Sequence, residues 1–290
     1  MRIPFFILLL IGVLGCQEEV DLDLPEQPPE IVVEGFINSE FPMMNYVVLS
    51  RVQSFSEGSG QEIFVEDAEV YVTPGEEING EISWEPENRV ELESLGSNID
   101  SVDFGFYFDL SGQLEGEEGK HYRLEVFHED ETLTSKTYIP HRVEKDTDYR
   151  ILESDEGDEK RARFTVRFQD PPGQRSYYRQ QYLLGGEDMR DMETPGLWGR
   201  MSGVRILTDD EFQGQEVNFT YPVFFNEGDT IHHFLNTIDE NCYDYMRSMF
   251  DAANTGGPFA SPVQIESNVE GGKGGFCGMG VSYKKVIIEP

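Results

Sequence analysis

The sequence predicts a mainly β protein: an N-terminal immunoglobulin-like β-sandwich, then a second β domain carrying one amphipathic helix. Three observations point there. Short runs that alternate apolar and polar residues recur along the chain, each closed by Gly, Asn, Glu or Pro. Gly119-x-x-Tyr122-x-Leu124 has the spacing of the tyrosine corner of such sandwiches. One stretch, about residues 237–254, repeats its apolar residues with a helical period instead.

Composition bounds the rest. The chain has 290 residues and 12% aromatics, including 20 Phe and 13 Tyr, so it can bury a core that a disordered chain could not. Its net charge of −34 repels nucleic acid and anionic head groups, which sets aside nucleic acid as a partner and a basic membrane-docking face.

Residues 1–15 read as a signal peptide. Arg2 supplies the positive start, residues 3–14 are almost wholly apolar, and Leu14-Gly15-Cys16 forms a lipobox. The apolar run is too short for a permanent span, which needs about 20 residues. Cys16 is therefore the expected lipidation site. Gln17-Glu18-Glu19-Val20-Asp21 resembles the acidic signal that sends lipoproteins to the outer face of an outer membrane. Residues 16–29 form an acidic, proline-rich tether with a reach on the order of 40 Å at about 3.1 Å per residue.

The N-terminal sandwich is expected over residues 30–140. Its strands are read at 31–37, 46–52, 69–73, at alternating Phe104, Phe106 and Phe108, at 122–126, and at 134–139 before Pro140. The second domain, residues 141–290, opens with the clearest strand. Ala162, Phe164, Val166 and Phe168 face one way, and Arg161, Arg163, Thr165 and Arg167 the other. Asp170-Pro171-Pro172-Gly173 breaks it, and residues 177–184 return. Val217, Phe219, Tyr221 and Val223 alternate in a further strand, and 281–288 is the terminal one. Thr237 is the expected helix cap, with Ile238, Cys242, Tyr245, Met246, Met249 and Ala253 as its buried stripe.

Candidate chemistry is sparse. No Gly-x-Ser-x-Gly elbow occurs. Gly271-Gly272-Lys273-Gly274-Gly275 lacks the Lys-Ser/Thr end of a phosphate loop and reads as a turn into the last strand. His232 and His233 are adjacent on a strand, so they point to opposite faces and make no simple metal site. Asp155 and Asp158 are weak calcium candidates in an acidic loop that lacks EF-hand spacing. The irregular excursion at residues 185–203 holds Trp198 and Arg200 and is the expected binding loop. Arg161, Arg163 and Arg167 form a basic stripe for which pairing with Asp or Glu is the default and an anionic ligand the alternative.

Four blocks resemble the bacterial lipoprotein family known as domain of unknown function 4249. They are the lipobox and acidic tail with Ile31-Val32-Val33-Glu34-Gly35; Phe168-Gln169-Asp170-Pro171-Pro172 with Tyr177-Tyr178; Thr208-Asp209-Asp210-Glu211-Phe212-Gln213-Gly214; and Tyr243-Asp244-Tyr245 through Phe259-Ala260-Ser261-Pro262-Val263 and Ser267-Asn268-Val269-Glu270-Gly271-Gly272 to Gly275-Phe276. The resemblance implies an outer-membrane lipoprotein, commonly encoded beside a TonB-dependent transporter. It implies no established activity, catalytic residue or cofactor. Cys277, in the Gly-Phe-x-Gly turn, and Cys242, on the helix, depart from the family pattern. Their joint presence suggests a disulfide pinning helix to strand; two separate buried thiols are the alternative.

These readings lead to a non-enzymatic, lipid-anchored outer-membrane protein facing the exterior. It would serve a TonB-dependent transporter as an accessory or ligand-capture component. A structural or adhesive β-sandwich module is the second expectation, and a carboxylate-dependent hydrolase a remote third.

Overall fold

In the computed structural model, which describes residues 30–51, 63–94, 105–152, 161–185, 202–255 and 263–289, the last strand joins the two halves of the chain. The first half contributes β1 (Ile31–Asn38), β2 (Tyr46–Arg51), β3 (Ile63–Phe64), β4 (Glu69–Ile78), β5 (Glu81–Trp84), β6 (Val90–Ser94), β7 (Phe106–Phe108), β8 (His121–His128) and β9 (Glu131–Tyr138). The second half contributes β10 (Lys145–Leu152), β11 (Arg161–Gln169), β12 (Tyr177–Leu184), β13 (Ser202–Thr208), β14 (Glu216–Thr220), β15 (Phe225–Asn226) and β16 (Thr230–Ile238). Helix α1 (Glu240–Asn254), β17 (Val269–Glu270) and β18 (Lys273–Ile287) complete it.

A 14-stranded sheet runs β13-β12-β16-β18-β1-β2-β7-β6-β4-β8-β9-β17, with β3 on β2 and β5 on β4. A second, four-stranded sheet runs β10-β11-β14, with β15 on β11. Side chains from β1 and β2 pack against those of β4, β6, β8 and β9 in one core that includes Val33, Leu49, Val72, Tyr107 and Leu124. That is the sandwich arrangement the alternating strands call for. The Tyr122 hydroxyl accepts from Glu117 N at 2.8 Å and donates to the Glu115 carbonyl at 3.2 Å, reaching back upstream as a tyrosine corner does.

The division at residue 140 is crossed by the backbone ladders. β18 pairs in parallel with β1 from Val32↔Lys273 to Asn38↔Met279, then antiparallel with β16 from Ile238↔Met279 to Thr230↔Ile287. β17 pairs with β9, and Val269 and Phe276 lie in the N-terminal core. The second half therefore supplies part of the first half's sheet and core.

β11 follows its expected pattern: Ala162, Phe164, Val166 and Phe168 are buried and pack onto β12, β16 and β18. β12, however, does not return beside β11. It crosses to the large sheet between β13 and β16. Asp170, fully buried after β11, redirects the chain: its backbone N–H donates to the Gln215 carbonyl at 3.0 Å. The expected strand through Val223 ends earlier, at Thr220, and Pro222 separates it from β15. Phe104 lies outside the described residues; Tyr107 faces the sandwich core while Phe106 and Phe108 stack on the opposite side.

The helix starts later than residue 237. Thr237 and Ile238 are still laddered to Gly280 and Met279. Asp239 is the cap, its Oδ1 accepting from Cys242 N at 2.8 Å. Cys242, Tyr245 and Met246 are buried as expected, whereas Met249, 37% exposed, and Ala253, also exposed, leave the stripe.

Candidate functional site

Cys16, Asp155, Asp158, Trp198 and Arg200 lie outside the described residues. Cys242 and Cys277 form a disulfide that ties α1 to β18, with Cα atoms 5.3 Å apart, inside the range a disulfide spans. His232 and His233 are both buried. His232 Nδ1 lies 2.7 Å from the Tyr283 hydroxyl, and His233 Nε2 lies 3.0 Å from that of Tyr221. Burial holds the His233 imidazole well below its ordinary pKa, with the nearby Lys145 adding to the shift. Among the described residues no group of three or more His, Cys, Asp or Glu is placed to hold a metal ion.

A cleft of about 240 Å³ opens where the end of β9, the turn before β12, and the β16–α1 junction meet. Three separate stretches build it, and Asp239 ties two of them, the end of β9 and the β16–α1 junction. Besides capping α1, this carboxylate accepts from Thr137 Oγ1 at 2.9 Å and Tyr138 N at 3.0 Å. Thr137 Oγ1 in turn accepts from Gly278 N at 2.7 Å, so one hydroxyl links β9, α1 and β18. Burial pushes the Asp239 carboxyl above the usual aspartate range, and its hydrogen bonds only partly offset that.

Across the cleft the Tyr177 hydroxyl donates to Glu240 Oε1 at 2.7 Å. Burial and then this acceptor raise the Tyr177 phenol. Arg175 lies over the Tyr177 ring, with Cζ 5.5 Å from its centroid, and pairs with Asp210 and, at 3.5 Å, with Asp209. The Asp210 carboxylate holds Arg175 firmly protonated. Thr237 Oγ1, buried in the wall, has no hydrogen-bond partner among the described residues. With Asp239 and Glu240 both engaged, the cleft offers hydrogen-bonding groups, the Arg175 cation and the exposed imidazole of His141, whose Nδ1 lies 3.6 Å from Glu118.

The sequence blocks singled out above converge in space. Asp170 Oδ1 accepts from the Tyr178 hydroxyl at 2.5 Å and Oδ2 from Gly214 N at 2.7 Å, joining the second and third blocks. Asp209, also fully buried, accepts from Ser176 N at 3.0 Å. Phe168, Tyr178 and Phe212 pack ring to ring beside them. The fourth block is clamped internally, Asn268 holding Phe276 through both its N–H and its carbonyl, each at 2.9 Å, and it meets the first at Gly35. A Cβ on Gly35 would lie 2.8 Å from the Phe276 ring. The shared motif residues thus specify chain crossings and buried turns, and only Tyr177 of the second block also lines the cleft.

The fold and its polar cleft define a mainly β protein, sandwich-like, with one α-helix among the described residues bound to the sheet by a disulfide. The profile of the Domain of unknown function (DUF4249) family matches residues 17–285, and the chain belongs to that family. No curated protein matches the chain.

Proposed function

We propose that this protein is a non-enzymatic lipoprotein of the outer-membrane surface, anchored through Cys16, that serves a TonB-dependent transporter as an accessory or ligand-capture component. The observation that carries the reading is the Leu14-Gly15-Cys16 junction, followed at once by Gln17-Glu18-Glu19, with the family match beginning at Gln17. An acyl chain contributes about 0.8 kcal/mol per buried methylene, so a multiply acylated cysteine holds firmly. The cleft beside α1, with Arg175 and Tyr177 on its walls, is the surface this reading assigns to capture.

Crosslinking of intact cells followed by affinity purification tests it. Co-recovery of a TonB-dependent transporter is the expected result. Recovery of the lipoprotein alone, or a Cys16→Ser protein that stays with the membrane fraction, removes the support for it.

A further inference from the structure

Among the described residues, the outward face of β10 and β11 carries two cations with no carboxylate partner. Arg150 and Arg163 are direct cross-strand partners. Their side chains face away from the core, because Tyr149, Ala162 and Phe164 point into it. Opposed side chains on paired strands have Cβ atoms about 4.5–5.5 Å apart, and like charges placed so repel. Further along, Arg167 takes Asp148 at 3.2 Å. Among the described residues neither Arg150 nor Arg163 pairs with a carboxylate, in a chain with 56 acids to 22 bases. Arg163 instead holds its Cζ 4.7 Å above the Phe224 ring. Phe224 is 47% exposed and Val223 40%.

We infer that this face docks an acidic, apolar-containing peptide segment of a partner protein. Carboxylates of that segment bridge Arg150 and Arg163, and an apolar side chain covers Phe224 and Val223. Planar guanidinium forks match carboxylates two bonds at a time. Arginine beside an exposed aromatic ring is also the composition that protein interfaces favour. Position argues against lipid head groups as the occupant. β18 leads away from the start of β1 for 15 residues, roughly 50 Å of strand at about 3.3 Å each. Glu289 N, just past its far end, donates to the Tyr149 hydroxyl at 3.1 Å, next to Arg150. The patch therefore lies at the end remote from the tether; this one argument rests on the proposed anchor, while the binding test below does not.

The test uses the full chain purified in detergent and a fluorescein-labelled dodecapeptide of alternating Glu and Leu, with its Gln-for-Glu counterpart and a sulfated oligosaccharide as comparisons. Anisotropy is expected to show binding of the acidic peptide only, weakened by added salt. Arg150→Gln with Arg163→Gln should weaken it at least tenfold, and Phe224→Ser at least threefold. Thermal melts of the arginine variant should match or exceed those of the parent, since relief of the repulsion costs the fold nothing; should that variant fail to fold, Phe224→Ser carries the comparison. Unchanged affinity in the variants, no binding of the acidic peptide, or tighter binding of the oligosaccharide overturns the inference.

Discussion

Gly274 sits so close to Val33 that a Cβ built on it would lie 1.9 Å from the Val33 carbonyl oxygen. Its φ of +106° adds a backbone conformation that side chains rarely adopt. This is where β18 begins its parallel run beside β1, so the halves of the chain meet through a glycine. Gly274→Ala should destabilise by more than about 3 kcal/mol, combining clash and strain. Gly112, at φ +72° with open space around it, is the control; Gly112→Ala should cost about 1 kcal/mol. Urea melts of both variants decide it, and equal losses would show that the close approach contributes nothing.

The Cys242–Cys277 disulfide joins positions separated by 35 in the sequence. In the chain-entropy treatment a loop of that size stabilises by about 4 kcal/mol. Unfolded, non-reduced protein should take up no iodoacetamide at these two positions, and two labelled thiols would contradict the bond. The Cys242→Ala, Cys277→Ala protein should melt at markedly lower denaturant with α1 loosened from β18.

What the sequence made legible follows the strength of each local pattern. β11 was plain because every second residue is apolar and buried. The existence of α1 was plain too, but Thr237 and Asp239 are both cap-type residues, and the ladder from Thr237 to Gly280 decides between them. The start of β18 read as a turn because glycine marks turns more often than a crowded strand. β10 carries no strand signal in its sequence: Asp146 and Asp148 alternate with Lys145 and Thr147, leaving no apolar face until Tyr149. The cleft was not legible because its walls come from residues 138–141, 174–177 and 237–240, which only the tertiary fold brings together.

Asp170 and Asp209 show why acids can mislead in so acidic a chain. Both are fully buried, yet Asp170 terminates a hydroxyl and a backbone donor in a turn, and Asp209 the backbone N–H of Ser176. Asp170→Ala leaves the Tyr178 hydroxyl and Gly214 N–H without their acceptor, at about 1–3 kcal/mol for each. The expected loss is therefore about 2–6 kcal/mol. Tyr178→Phe removes one donor and leaves the carboxylate bound to Gly214, so it should cost less. A surface-like effect under 0.5 kcal/mol for Asp170→Ala would mean the turn is held by the Pro171-Pro172 backbone alone.

His233 gives the fold an acid-sensitive seam between its two sheets. It is fully buried on β16, against Phe164 of the small sheet, with ring centroids 5.6 Å apart. Lys145 of β10 crosses the same interface, its Nζ donating to the His233 carbonyl at 2.7 Å and to that of Ser282. Burial lowers both groups well below their ordinary values. The unfolded chain then binds protons that the folded chain refuses, so stability falls as pH falls. For His233 the loss begins near pH 6.5 and continues down to its depressed folded value, at about 1.4 kcal/mol per pH unit. Lys145 adds the same sign from about pH 10.5 downward. Asp239, raised by burial, works the other way, but only near and below its own raised value. His233→Gln should therefore flatten the dependence of thermal midpoint on pH between 6.5 and about 5, while leaving the slope at higher pH to Lys145. An unchanged slope in that variant would mean that His233 is protonated within the fold.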